Sequence, residues 1–282
     1  MIYLNKLTKV LLLCSIAFTA CDKIDQADRV KPIESQEQPK DNSKHIVLLE
    51  DYTGQKCSNC PVFADKLHKA LAGELQPYSS RVVMVAVHNH LLPLEGSNLP
   101  TPAGEAYARW IGLSSVPAAV VDRTQREGKV IHINNVSDVV SSLKTALSKP
   151  QALDLFGKAS FSEDRKAVTV EVLSTVAGNT QLPDQEKLKV QLWLVENNIE
   201  AYQEYPGGKH NDKHKHDHVL RAALNGTWGE AIKLGTKYLC TQQLPAYVLE
   251  SVRTAPMNFR IVAFVFSGED NTVLETIEIE IN

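Results

Sequence analysis

The chain has 282 residues, 43% hydrophobic and 22% charged, with a formal net charge of -3. This balance is ordinary for a soluble globular protein and lacks the basic excess of a nucleic-acid binder, so no nucleic-acid partner is expected. Beyond a leader and a tether, enough chain remains for two domains of common size.

Lys6 and Lys9 precede an apolar run, Val10 to Ala20, which ends in Phe18-Thr19-Ala20-Cys21. A basic start, a short apolar core and small residues before a cysteine predict a secretory signal over residues 1–20, too short to span a bilayer comfortably. The cysteine after Thr-Ala fits a lipobox. Cys21 would then carry lipid and hold the protein on a membrane, although Phe18 stands where Leu is usual. Ordinary secretion with Cys21 as a bystander is the alternative. The rest of 21–43 is rich in Lys, Asp, Glu, Gln, Ser and Pro. Such a segment buries too little surface to offset the entropy of ordering, and reads as a flexible tether.

Ile46 to Leu49 is an apolar run that predicts a short buried strand. A turn at Thr53-Gly54 follows, then Cys57-Ser58-Asn59-Cys60-Pro61. Val62, Phe63, Leu67, Ala70, Leu71 and Leu75 recur at helical spacing beyond it, with Pro61 suited to an early helical position. Cysteines three apart at a helix start lie close enough to form a disulfide. Cys57 sits near unpaired N–H groups and the positive end of the helix dipole, which favour the attacking thiolate. Half of a zinc site is the other reading of Cys-x-x-Cys, but no second Cys or His pair follows at zinc-finger spacing.

Strand, Asp-aromatic pair, short turn, Cys-x-x-Cys and helix resemble the active-site unit of thioredoxin-like proteins. More narrowly, Asp51-Tyr52-Thr53-Gly54 with Cys57-Ser58-Asn59-Cys60-Pro61 is similar to the Omp28-related lipoproteins of Bacteroidetes, which implies a cell-envelope, outer-membrane location. The resemblance implies that Asp51, six residues before Cys57, is a buried acid that aids proton transfer.

Arg81 to Val87 is a β-branched run typical of a strand buried on both faces, and completes a βαβ unit with the cysteines at its reactive edge. The long connection from His88 to Gly104 follows. His88 and His90 stand near the expected place of Cys57, either as a catalytic histidine or as polar loop residues. Glu105 to Ile111 predicts a short helix ended by Gly112. Val116-Pro117 precedes the strand Ala118 to Asp122. In thioredoxin-like proteins a Val-Pro here is cis, packs against the cysteine pair and presents backbone to substrate; a trans proline opening an edge strand is the alternative. Lys129 to Ile133 predicts a strand, and Val136 to Leu147 a helix capped by Asn135 or Ser137. Residues 44–150 are thus expected to form an α/β thioredoxin-like domain.

From Gln151 the period changes to two. Val168, Val170 and Val172 alternate with Thr169 and Glu171, and Leu188, Val190, Leu192 and Leu194 with Lys189, Gln191 and Trp193. Further strands are expected at Tyr247 to Val252, Phe259 to Phe266 and Val273 to Ile281. Short alternating strands separated by turn signals predict an all-β, immunoglobulin-like sandwich over 151–282. Lys209 to Arg221 is rich in histidine. If extended, it puts His214, His216 and His218 on one face, a candidate metal site set against the plainer reading of a solvated loop. The part from His216 to Arg221 is similar to a His-x-His-Val-Leu-Arg element of the Omp28-related proteins, which implies a structural role at a domain contact. Cys14 leaves with the signal, Cys21 takes lipid and Cys57 pairs with Cys60. Cys240 remains, on an expected strand, as a buried inert thiol.

The expected activity is thiol–disulfide exchange with protein thiols or disulfides of the envelope, requiring no cofactor. Cys57 would attack and Cys60 resolve, while Asp51 tunes proton transfer and Val116-Pro117 holds the substrate chain. The alternative is a surface binding or adhesin lipoprotein, with the pair a structural disulfide in a scaffold.

Overall fold

The computed structural model describes residues 45–178 and 180–282. The predicted leader, the expected lipidation site Cys21 and the expected tether lie outside it. In chain order the first half forms β1 (Val47–Thr53), α1 (Cys60–Ala72), β2 (Val82–His88), α2 (Pro102–Trp110) and β3 (Ala118–Val121). A small hairpin of β4 (Gln125–Arg126) and β5 (Lys129–Val130) and then α3 (Val136–Leu147) complete it. Thr101 caps α2 by accepting from the Gly104 N–H, and Asn135 caps α3 by accepting from the Asp138 N–H, each satisfying a donor that the first helical turn leaves free.

The second half begins with β6 (Leu153–Phe161), β7 (Ala167–Val176), β8 (Leu188–Glu196), β9 (Ile199–Tyr205) and β10 (Lys209–His216). It continues through β11 (Val219–Ala223), β12 (Glu230–Ala231), β13 (Lys237–Gln243), α4 (Leu249–Thr254), β14 (Phe259–Ser267) and β15 (Val273–Glu280). The expected strand at Tyr247 to Val252 is helical instead, a 3₁₀ turn over Ala246–Val248 leading into α4. Val248 and Val252 are both fully buried, and their four-residue spacing puts them on one helical face. The strand expected at Lys129 to Ile133 is also reduced. Only Lys129–Val130 pairs with β4, while Ile133 bridges Ala119.

One eight-stranded sheet, in the order β15-β14-β8-β11-β2-β1-β3 with β12 paired to β8, runs through both halves of the chain. β1 and β2 are parallel, and β3 runs antiparallel to β1. The seam is β11, where Val219 pairs with Ala86 of β2 and the Ala86 N–H donates to the His218 carbonyl (2.8 Å). The two edges of this sheet meet. The Val273 N–H of β15 donates to the Asp122 carbonyl after β3 (2.9 Å). His45 bridges the same junction, with Nε2 2.7 Å from Asp122 and Nδ1 3.3 Å from Glu275.

The curled sheet has three cores. Its inner face wraps α2, with Leu48, Val85, Trp193 and Phe264 packed around Tyr107 and Ala108. Outside, α1 and α3 cover Val47, Leu49, Met84 and Val121. Further along, a three-stranded sheet in the order β13-β7-β6 covers β8, β14 and β15. The architecture is therefore mixed α/β with a large β-sheet. Among the described residues no helix is long and apolar enough to cross a membrane.

Candidate functional site

Cys57 and Cys60 form a disulfide at the start of α1, with Cα atoms 5.4 Å apart. The turn before them is tight: the Cys57 N–H donates to the Gly54 carbonyl (3.1 Å), and the Cys60 N–H to that of Cys57 (3.2 Å). The loop after β2 braces it from one side. The Lys56 N–H reaches the Leu92 carbonyl at 3.0 Å, and the Asn89 side-chain amide reaches that of Thr53 at 3.3 Å. Glycine is required at position 54, since a Cβ there would stand 2.6 Å from the Leu91 carbonyl oxygen.

Strand parity decides what lies beneath. Val47 and Leu49 of β1 and Met84 of β2 face α1 and α3. Asp51 shares that parity, as do Ala86 and His88, with Asp51 opposite Ala86 and Thr53 opposite His88. Asp51 is buried and its Oδ1 has no hydrogen-bond partner. Burial pushes its carboxyl from the ordinary 3.8 up to about 7. His88 is likewise buried with an unpartnered Nε2. Burial first, then the neighbouring His216 and Arg221, pull its pKa well down. Unpaired buried polar groups are rare in structural roles and concentrate where chemistry is done. His90 lies apart, paired with Glu105 of α2 at 2.8 Å.

The Val116–Pro117 peptide is cis. Ala118 pairs with Tyr52, so Pro117 comes beside Thr53, at the strand end from which the cysteine loop departs. The chain thus brings the disulfide, Asp51, His88 and Val116-Pro117 to one end of the sheet.

Sequence reasoning did not anticipate the cover. Each cysteine is only 2% exposed. β9, which no pattern marked, and β10, from the stretch read as a metal site or a solvated loop, form a two-stranded hairpin between β8 and β11. Gln203 of β9 donates to the carbonyls of Gly54 (3.3 Å) and Cys57 (3.1 Å). The Glu204 N–H donates to the Gln55 carbonyl (2.9 Å), and the Gln55 amide to that of Tyr202 (2.9 Å). Gln203 and Cys57 are 146 residues apart, and no local motif marks such a contact.

The histidine-rich segment is regrouped as well. His214 and His216 share a face of β10, with ring centroids 4.6 Å apart. His218 lies beyond the strand, in the left-handed region (φ 56°). The third ring of the cluster is His88, 5.2 Å from His216. Among the described residues no group of three or more His, Cys, Asp or Glu side chains is arranged to hold a metal ion. His218 instead gives its carbonyl to the seam between β11 and β2. Cys240 is half-buried on β13, and burial pushes its thiol up.

No curated protein sequence matches the chain. Among solved structures, HBP35 of Porphyromonas gingivalis is similar over 85% of this chain and 76% of its own, with a TM-score of 0.67 at 16% identity, a likeness of fold. A domain of the outer membrane lipoprotein Omp28 from Porphyromonas gingivalis is 26% identical over 46% of this chain and 88% of its own, with a TM-score of 0.34. The family described as outer membrane protein Omp28 matches residues 104–282, from the first turn of α2 to the last residue of the sequence. Because that match spans well over half of the 282 residues, the chain belongs to the Omp28 outer membrane protein family.

Proposed function

We propose that this protein is an envelope-anchored, outer-membrane lipoprotein that exchanges disulfides with protein substrates through Cys57 and Cys60. The observation that carries the reading is the buried, unpartnered Asp51 on the face below a disulfide that opens a helix, with its carboxyl pushed up to about 7. A carboxyl of that acidity takes and returns a proton near neutral pH. The first half of the chain then works as a thioredoxin-like unit, and the second as an immunoglobulin-like sandwich that supports it.

In the reducing direction the Cys57 thiolate attacks one sulfur of a substrate disulfide, and the other sulfur leaves as a thiolate. Cys60, its proton passed to Asp51, then attacks the Cys57 sulfur. The Cys57–Cys60 disulfide forms and the second substrate sulfur is released, so two electrons pass to the substrate. Run backwards, the same steps oxidise a substrate dithiol. Val116-Pro117 holds the substrate chain beside Cys57. Lipid on Cys21 supplies the anchor, and acyl labelling of the protein in cells is expected to vanish in Cys21→Ala.

One observation favours a second reading, a scaffold with a structural disulfide in a surface binding protein: both cysteines are 2% exposed. The reduction potential of the pair separates the two. A value of about -120 to -270 mV belongs to exchange catalysts. A value below about -300 mV, with unreactive thiols after reduction, would leave the scaffold reading alone standing.

A further inference from the structure

The cover over the disulfide is built unlike the rest of the molecule. Among the described residues, no side chain of β9 or β10 joins any of the three apolar cores. β10 is exposed over most of its length. The hairpin is attached to the cysteine loop by the hydrogen bonds of Gln203, Glu204 and Gln55 described above. Elements with little apolar burial open at a small fraction of the global unfolding free energy. Left-handed residues, Asn198 (φ 59°) and His218 (φ 56°), flank the hairpin at its two roots.

Three imidazoles cluster where the hairpin meets β2, and the contact that crosses is His216 against His88. His216 faces His88 and His214, the Tyr202 carbonyl at 3.4 Å and the charge of Asp217. His88 faces His216, His214 and Arg221, with Asp51 on the same sheet face one strand away. His214 meets the Tyr205 hydroxyl at 2.9 Å and the charges of Asp65 on α1 and Asp217. Arg221 is already paired with Glu196 at 3.0 Å. Protons added to this cluster would crowd cations together beside Arg221.

We propose that the β9–β10 hairpin is a proton-released lid over Cys57–Cys60, latched by neutral His88, His214 and His216 and swinging about Asn198 and His218. Opening frees the carbonyl and side-chain amide of Gln55. These two backbone-pairing groups suit an extended polypeptide, which names the substrate class. That last step rests on the exchange reading; the lid itself does not. The sign follows from the closed state. Burial lowers the pKa of all three rings, that of His216 from 6.5 to about 4. The latch is therefore intact above 6.5 and lost as pH falls toward 4.

The test is amide hydrogen exchange of the intact, oxidised protein at about pH 7.5 and about pH 5, corrected for intrinsic rates. Protection of the Glu204 N–H is expected to drop about tenfold or more at the lower pH while the amides of β8 keep theirs. His216→Phe, or His216→Gln if the larger ring disturbs folding, is expected to shrink the difference several-fold, the remainder belonging to His88 and His214. Equal protection at both pH values, the same drop in a folded His216 variant, or a parallel loss in β8 would overturn the lid. Reduction of the disulfide by a protein dithiol, followed alongside, keeps the two readings apart. A hairpin that loses protection at the lower pH while the dithiol fails to reduce the disulfide at either pH leaves the lid standing and removes the exchange reading. A disulfide that the dithiol does reduce, under a hairpin whose protection is the same at both pH values, removes the lid and leaves exchange.

Discussion

At the scale of single residues, the site is marked by polar groups placed where apolar ones would pack better. Asp51 has the clearest signature. Its carboxyl titrates at about 7 instead of 3.8, because burial penalises the charge. A raised acid is held more readily as its neutral form, so its contribution to stability is best below 3.8 and declines until about 7. Asp51→Asn is therefore expected to stabilise the protein by about 4 kcal/mol at pH 8 and to do little near pH 4, measured by urea unfolding at both. Equal effects at the two pH values would show that the carboxyl is not charged at the higher one. The acid was legible in the sequence by its place before the cysteines. Its missing partner was not, because whether an oxygen is satisfied depends on everything packed around it.

Elements meet the site through close approaches. Gly104, in the first turn of α2, lies so near β2 that a Cβ would stand 2.8 Å from the His88 carbonyl oxygen and 3.0 Å from Val87 Cγ1. The nearer neighbour is backbone and cannot swing aside. Gly104→Ala is expected to cost about 2 kcal/mol, read as a lower urea midpoint at unchanged slope. No cost would mean that α2 shifts freely on β2, against the packing of Tyr107 in the inner core. The helices of the first half were readable from spacing, and the cap of α3 from Asn135, whereas Thr101 and the first turn of α2 fall in the stretch expected as a connection. The hairpin of β9 and β10 was not, because its strand residues are mostly polar and charged and carry no apolar alternation. Nor was the full burial of Trp193. The alternation in β8 suggests one wet face, yet the curl of the sheet turns that face onto α2.

At the scale of the whole molecule, closure of the sheet rests on His45. It joins the start of the described chain to Asp122 beyond β3 and Glu275 of β15. Burial opposes its charge, but the hydrogen bonds to Asp122 and Glu275 prevail and raise its pKa to about 9. The stabilisation is present below 6.5 and lost as pH rises through about 9. His45→Gln is expected to cost about 3 kcal/mol near pH 6, with a smaller deficit above pH 9, by thermal or urea unfolding. A deficit that does not change with pH would mean that packing, not charge, closes the junction.

The sequence by itself determined the local chemistry: a disulfide pair at a helix start, an acid on the strand before it, and a proline entering the neighbouring strand. These follow from spacings within a strand or a turn, which neighbouring residues dictate. Only the tertiary structure decided that one sheet runs through both halves, that its edges meet, and that Gln203 and His216 come down over Cys57 and His88. Those contacts join residues more than a hundred positions apart. They are set by which faces remain unburied once the local elements have formed, a quantity that no short stretch of sequence contains.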